Sequence, residues 1–522
     1  MNLEVSVKNY RCFGEQSPAR LKLNRGITAL IGSNNSGKST LLRLFYEFRP
    51  LFDKLSHDVD TTASLFQPGL PLPPLKAVQD PWKIFHRESK GDLVISVRIL
   101  RAEGFDETAV SGPDEVQIAV SHKNFQCHGR ANEHPNDHLT ANIIFLEKWR
   151  KVFQSLSRSL YIGPFRGLDE GLLYGQGGDL TPGPEFKRQV IELIAANNGI
   201  HRVCEEIRAL FRFKAFDIRV AKDSAEHLEF YVNNQLVPIE ELGSGLGQTL
   251  MILLRAQIHH PDYIFIDEPE AHLHASLQAD FITTLSGFAS AAMVFASHNV
   301  GLTKIAGDRT YSIRRDTDHN TSIISKFNPD IRLSEMVGEA GFSAQQIEGC
   351  TKVLLVEGPT EIRAIRQILR KMNAEHQIVL IPLGGGSMIT ANREDELREI
   401  TRICNDVYCL IDSEKPSART PIAADRIAFK NSCEKVGIDC HILERRAFEN
   451  YLSEKAIQHY YGKGFRALGP YDELKSKNPA WQKVYNWKIA RDMPLSDFEQ
   501  NDLGKFLKKV ATAPCRILVR NS

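Results

Sequence analysis

The residues with the most specific chemistry are Gly32-x4-Gly37-Lys38-Ser39. Glycines at this spacing let backbone N–H groups approach a polyphosphate, and a helix that starts directly after them adds positive potential. Lys38 is placed to reach the β and γ phosphates, and the Ser39 hydroxyl to coordinate Mg2+. The phosphate-facing set is Gly32, Asn35, Ser36, Gly37, Lys38, Ser39 and Thr40. A second group closes Ile264-Phe265-Ile266-Asp267-Glu268. Beside such a loop, Asp267 at the end of a buried strand can hold Mg2+, and Glu268 can orient and deprotonate a water. A third group is acidic, with Glu357 and Glu361 in Val356-Glu357-Gly358-Pro359-Thr360-Glu361 and Asp412 and Glu414 in Leu410-Ile411-Asp412-Ser413-Glu414. Parallel strands of one sheet end on the same edge, so these acids converge. Four carboxylates repel unless cations sit among them, and hard divalent ions with oxygen ligands meet that need. Two such ions, about 4 Å apart, activate water and stabilise a leaving oxygen in phosphodiester cleavage.

The elements that must position these groups are readable from hydrophobic period. Leu3, Val5 and Val7 alternate with polar residues, and Ile27–Ile31 is a short buried run that feeds the glycine-rich loop. LLRLFYEF after the loop has helical spacing. Residues 68–81 are rich in proline and read as a loop, whereas 91–126 alternate in several runs and read as an antiparallel β insert. Residues 184–212 and 245–260 have helical period, and 263–266 and 293–296 read as buried parallel strands. A second alternation begins near residue 350: strand 352–356, helix 359–372, strand 378–382, Gly384–Gly386, helix 393–403, strand 407–411, helix 421–436. It predicts a second parallel sheet. The boundary falls at 331–348, and the tail from 455 is helical.

Composition bounds the rest. The 522 residues carry 65 basic and 64 acidic side chains, a net charge of +1, which excludes a uniformly basic nucleic-acid coat. With 42% apolar and 25% charged residues, the chain has globular composition. No apolar run reaches the roughly 18 residues a membrane helix needs, and the charged start is unlike a signal peptide. A cytoplasmic protein with no membrane partner is expected. The nine cysteines form no CxxC and fit a reduced compartment. Cys433, Cys440 and His441 lie close in sequence, but zinc needs about four ligands at recognisable spacing, so they read as buried thiols.

Glu241-Leu242-Gly243-Ser244-Gly245-Leu246-Gly247-Gln248 precedes the Asp267 strand, and His298 ends the next strand in Ala296-Ser297-His298. With the loop at 32–40, this resembles ABC-type ATPases of the SMC and RecF kind. The resemblance implies that Ser244 and Gly245 contact the γ-phosphate held by the opposite protomer and that His298 senses that phosphate. The signature departs from Leu-Ser-Gly-Gly-Gln. Asn9-Tyr10-Arg11 looks like the N-terminal segment near base and phosphates. Tyr161–Arg166 resembles a recurring segment that leaves Arg166 open between the nucleotide and the surface. No heptad run long enough for a coiled-coil arm separates Lys38 from Ser244. His272 and His274 stand two apart, point different ways on a helix, and read as structural.

Glu357-Gly358 followed by Asp412-Ser413-Glu414 resembles the TOPRIM domain of topoisomerases, primases and nucleases, with Glu414 where that domain usually carries Asp. An ABC-type ATPase followed by TOPRIM resembles the OLD (overcoming lysogenisation defect) family. That resemblance implies Glu361 as a second acid, Glu449 in Glu444–Tyr451 as a further metal ligand, and a C-terminal catalytic lysine. Lys488 is the candidate, with Lys483, Lys505, Lys508 and Lys509 nearby. These lysines, Lys475 and Lys477, together with Trp481, Tyr485 and Trp487, are a candidate phosphate-tracking face.

The expected fold class is α/β: an ABC-type ATPase domain with a β insert at 1–340, a TOPRIM domain at 345–455 and a helical extension at 456–522. The expected function is an ATP-binding and ATP-hydrolysing, Mg2+- or Mn2+-dependent DNA endonuclease, an effector of anti-phage defence. It would act as a homodimer or higher oligomer, with a companion protein or a reverse transcriptase and non-coding RNA as possible partners. A nucleotide-switched scaffold and an RNA (tRNA)-cleaving enzyme are the competing readings.

Overall fold

The computed structural model describes residues 2–100, 114–131, 142–164, 179, 184–196, 199–221, 227–238, 241–271, 273–316, 319–327, 352–375, 377–383, 389, 394–404, 406–478 and 480–514. The chain folds as two units: Met1–His298 with Arg309–Phe327, and Asn299–Asp308 with Asn328–Ser522.

The first unit opens with β1 (Leu3–Lys8), β2 (Ala19–Leu23), β3 (Gly26–Ile31) and helices α1 (Lys38–Glu47), α2 (Arg49–Ser56) and α3 (Val59–Ser64). Next come β4 (Leu70–Pro71), β5 (Leu93–Ile99), β6 (Glu115–Val120), β7 (Gln126–Ala131), α4 (Ile143–Ser157) and β8 (Ser159–Ile162). It continues with α5 (Pro184–Ala195), α6 (Ile200–Leu210), β9 (Phe216–Val220), β10 (Leu228–Val232), β11 (Gln235–Val237), α7 (Ser244–His259), β12 (Tyr263–Asp267), α8 (Ala275–Ser286) and β13 (Ala292–Ser297). Helix α9 (Val300–Ala306) belongs to the second unit, and β14 (Arg309–Asp316) and β15 (Thr321–Lys326) return to the first.

Two large sheets build this unit. One has the order β15-β14-β3-β13-β12-β8, in which only β15 runs antiparallel. Its central strands β12 and β13 are buried along their whole length and mostly apolar, as strands covered on both faces should be. The other is antiparallel, β2-β1-β5-β6-β7-β4. The expected insert at 91–126 therefore extends the N-terminal hairpin, and the alternating burial of β1, β5 and β6 matches its one-sided core. Leu70-Pro71, expected in a loop, pairs with β7 at the edge, where a proline lacking N–H is tolerated. Helix α1 packs between the chemistry and the core, with Phe45 stacked on Phe265 at 4.1 Å.

The second unit holds β16 (Lys352–Val356), α10 (Pro359–Lys371), β17 (Ile378–Pro382), α11 (Glu394–Ile403), β18 (Val407–Ile411), α12 (Ala424–Lys435) and β19 (Asp439–Ile442). Short helices follow: α13 (Glu454–Tyr461), α14 (Leu474–Lys477), α15 (Asn486–Asp492), α16 (Ser496–Glu499) and α17 (Asp502–Thr512). The sheet is wholly parallel, in the order β17-β16-β18-β19. One face packs on α11 and α12, and the other on α10 together with the C-terminal helices. Residues 456–514 thus share a core with the sheet. Lys352 fastens them, its buried ammonium donating to the Val510 and Ala511 carbonyls at the end of α17 at 2.8 and 3.0 Å. Gly384–Gly386, His272, Arg166 and the expected boundary at 331–348 lie outside the described residues.

Candidate functional site

In the first unit, residues 32–37 turn from β3 into α1, and Gly37 caps the helix at φ 110°. A Cβ on Gly32 would lie 2.2 Å from the Ile313 carbonyl oxygen, so no larger residue fits. Lys38 donates to the Gly32 and Ser33 carbonyls at 2.8 and 3.0 Å. It is thus held against the backbone of the loop. Burial pulls its ammonium below the usual lysine value, against the pull of Asp267, Glu268 and Glu270. Ser39 and Thr40 open α1.

Sheet register carries the rest of this site. Ser297 pairs with Ile31 and Asp267 with Ala296, so the ends of β12 and β13 flank the loop. His298 lies 3.4 Å from Lys38 and 3.1 Å from Glu268 Oε1. Glu268 adopts φ 49°, a conformation rare for a non-glycine residue and often found where function dictates geometry. Glu270, which the sequence did not single out, accepts from Ser297 Oγ at 2.5 Å and from the His298 N–H at 3.3 Å, and so fixes the histidine's strand end. Ser244 stands exposed at the start of α7, with Gly245 next to it.

Asn9-Tyr10-Arg11 is anchored on α1 through Glu47, a fully buried acid that sequence reading missed. Tyr10 and Arg11 donate to its two oxygens at 2.7 and 2.6 Å. Burial and then Glu47 raise the Tyr10 pKa. Arg11 and Cys12 also line a cavity of about 520 Å³ with Trp82, Phe85, His86 and Arg315. Cys12 Sγ would lie 2.8 Å from a Cβ on Gly37, so this cavity adjoins the phosphate loop.

The second unit carries the acids. Val356 pairs with Leu410 in the parallel register of β16 and β18, so Glu357 and Asp412 leave neighbouring strands at one edge. The Asp412 N–H donates to Glu357 Oε2 at 3.3 Å. Glu361 on the first turn of α10 folds back so closely that a Cβ on Gly358 would lie 2.8 Å from its Oε2. Glu449, 1% exposed, enters on a short 3-10 turn at Phe448–Tyr451, whose first N–H binds Asp412 Oδ1 at 3.1 Å. Burial, then the charges of Glu449, Glu361 and Glu357, push the Asp412 carboxyl well above the usual range. Burial and Glu449 raise Glu361.

Two cations lie among these acids, and neither was the expected one. Lys483 donates to Glu449 Oε1 at 3.1 Å, and Asn486 binds the same oxygen at 3.0 Å. Burial opposes the Lys483 charge, yet Glu449, Glu361 and Asp412 outweigh it and hold the amine protonated above the lysine norm. Arg426 donates to Glu357 Oε2 at 3.0 Å and to the Asp412 carbonyl at 2.6 Å. Lys488, the sequence candidate, instead lies 5.2–5.7 Å from the ring centroids of Tyr460, Tyr485 and Trp487. Lys483 sits on the 3-10 turn Lys483–Tyr485, whereas Lys488 is on α15 itself. Glu414, with its backbone at φ 53°, has its carboxylate 3.4 Å from Arg446, and its charge also acts on Arg426.

Trp481, Tyr485 and Trp487 are buried, so they belong to the core and offer no stacking face, because the tail's aromatic spacing is that of an amphipathic interior. Glu357, Glu361, Asp412 and Glu449 are all hard oxygen donors. The raised carboxyls mark a set short of positive charge, which a divalent cation fits. The set is open: among the described residues, only the sulfurs of Cys409, Cys433 and Cys440 form a trio of ligand atoms within 4.8 Å of one another.

Residues 1–122 match the family model of an AAA ATPase domain. The first unit thus contains an ATPase-type domain. Comparison with curated proteins gave no match. Among solved structures, the chain is similar to the SMC head domain from Thermotoga maritima at 14% identity, TM-score 0.35, over 63% of this chain and 100% of that one. It is also similar to an Smc head bound to the C-winged helix domain of ScpA, at 11% identity and TM-score 0.39, over 63% of this chain and 97% of that one. A third is an Smc head with an extended coiled coil bound to a ScpA C-terminal domain derived from Pyrococcus furiosus, at 13% identity and TM-score 0.35, with the same coverage. Among the described residues no helix is long and apolar enough to cross a membrane.

Proposed function

We propose that this chain is an ATP-gated, divalent-metal-dependent nuclease whose substrate is DNA. The observation that supports it most directly is the meeting of Glu357, Glu361, Asp412 and Glu449 with protonated Lys483 at one edge of a parallel sheet. A divalent ion such as Mg2+ or Mn2+, held by those four acids, would supply an activated water and neutralise a leaving oxygen. Lys483 would donate to a non-bridging phosphate oxygen, where negative charge grows during cleavage. Arg426 keeps Glu357 turned toward Asp412, and Asn486 keeps Glu449 turned toward Lys483.

In the ATPase unit, Lys38 would leave the loop carbonyls for the β and γ phosphates, and Asp267 and Ser39 would hold Mg2+. Glu268 would position the attacking water, and His298, with Nε2 3.1 Å from Glu268 Oε1, would read the γ-phosphate. The exposed Ser244 supports an ATP-dependent homodimer, in which that hydroxyl meets the partner's nucleotide. The likeness of the motifs to OLD-type nucleases supports a role in defence against phage DNA.

The test incubates the full chain with supercoiled plasmid and Mg2+ or Mn2+, with and without ATP. Wild type should cut, Glu357→Ala should not, and Lys38→Ala should change only the response to ATP. Failure of wild type to cut DNA with either metal would reject the DNA reading, and cleavage of tRNA in a parallel reaction would replace it.

A further inference from the structure

Three of the chain's cysteines meet in the second unit, on the sheet face away from the C-terminal helices. Cys409 on β18 and Cys440 on β19 are direct partners in the parallel register. Cys433 descends from α12, which packs on β19. The three sulfurs lie within 4.8 Å of one another, and none of the side chains is more than 4% exposed. We propose that Cys409, Cys433 and Cys440 form a binding site for one thiophilic d10 cation of the Zn(II) or Cu(I) class, separate from the acidic edge.

The dimensions fit. Sulfurs bound about 2.3 Å from an ion stand roughly 4 Å apart in a trigonal plane. The surroundings select the ion. Phe429, Val407, Ile411 and Ile438 share the same apolar cluster. An ion that keeps water ligands, such as Mg2+, is therefore unsuited, and sulfur donors favour soft metals. His441, adjacent to Cys440, does not complete a tetrahedron. It points to the opposite face of the strand, with Nε2 3.0 Å from Asp502 Oδ2. Three sulfurs from three elements would thus hold the ion in low coordination and tie α12 to the sheet. Each sulfur that binds gives up its thiol proton to solvent, and the cation offsets the resulting thiolate charge. Thiols that only fill space would occupy the same positions as small apolar groups, so the decision rests on binding.

The full chain is purified under reducing conditions without chelator, and its metal content is measured by mass spectrometry. Metal-free protein is then titrated anaerobically with Zn(II) in one arm and Cu(I) in the other. Thiolate-to-metal absorbance and protection of thiols from alkylation are followed. The expected result is one retained ion per chain, with the three thiols protected, and the arm that saturates at one equivalent identifies the ion. Cys433→Ala, which leaves a small buried side chain, should lose that equivalent, and Cys204→Ala should keep it. If Cys433→Ala misfolds, the native wild type decides alone through the change in thiol protection on adding the ion. Absence of a bound equivalent in both arms, or the same uptake by Cys433→Ala, would overturn the site and leave a packed thiol core.

Discussion

Asp412→Asn should stabilise the metal-free second unit while abolishing cleavage. The side chain is buried and faces Glu449, Glu361 and Glu357, with Lys483 and Arg426 as the opposing charges. Removing its charge relieves three repulsions and forfeits two attractions, those of Lys483 and Arg426. At an effective dielectric near 20, each such interaction across about 6 Å is worth roughly 3 kcal/mol before relaxation. Relaxation and water bring the expected gain to about 1–3 kcal/mol. The Phe448 N–H can still donate to the Asn oxygen, so the turn carrying Glu449 should persist. The sign with pH follows from the raised carboxyls of Asp412 and Glu361. The folded state holds protons that the unfolded chain releases near pH 4. The stability these two groups contribute to wild type is therefore lost as pH rises from there through their folded pKa values. The advantage of the variant should be absent near pH 4 and grow as pH rises above it. Hydrogen exchange of the β16 and β18 amides in chelator reads this unit alone, which whole-chain melting does not. Added Mg2+ should reverse the ranking, because an ion that binds only the folded wild type stabilises it. A variant whose protection factors, referred to the intrinsic exchange rate at each pH, gain no more over wild type at pH 8 than at pH 4, or a variant less protected than wild type at pH 8 in chelator, would refute the crowding of charge.

Gly358→Ala should keep the fold and ATP hydrolysis but lower plasmid cleavage more than about 10-fold, because its Cβ would displace Glu361 from 2.8 Å. Glu268→Gln should bind ATP normally and hydrolyse it roughly 100-fold more slowly, read as trapped nucleotide after gel filtration. Trp82→Ala should weaken nucleotide binding about 3- to 10-fold by calorimetry if the nucleobase occupies the cavity beside Cys12. An unchanged affinity would leave the base elsewhere.

The local motifs were legible because each packs its chemistry into a few consecutive residues at a strand end. Gly32–Ser39, Asp267-Glu268, Glu357 and Asp412 needed only the rule that parallel strands finish together. What escaped the sequence depends on long-range pairing. Glu47 under Tyr10 and Arg11, and Arg426 against Glu357, have no local pattern. Among the tail lysines, spacing alone did not distinguish Lys483 from Lys488. The direction of a short helix decides, sending one to Glu449 and the other over aromatic rings. Interleaved aromatics read as a stacking face for the same reason, since an amphipathic helix presents lysines outward and tryptophans inward. Cys409, far in sequence from Cys433, joined its trio only through strand order.

The path of the chain after His298 limits how the molecule can be dissected. Residues 299–308 leave for the second unit before the backbone returns at Arg309, and in it Leu302 and Ile305 are buried while Asp308 pairs with buried Arg363. A protein ended at Phe327 would keep this excursion and lose what covers it, leaving a greasy stub in water one residue from His298. No single cut yields two intact halves, so insolubility of such a fragment would reflect an interwoven backbone and say nothing about whether its ATPase part is sound.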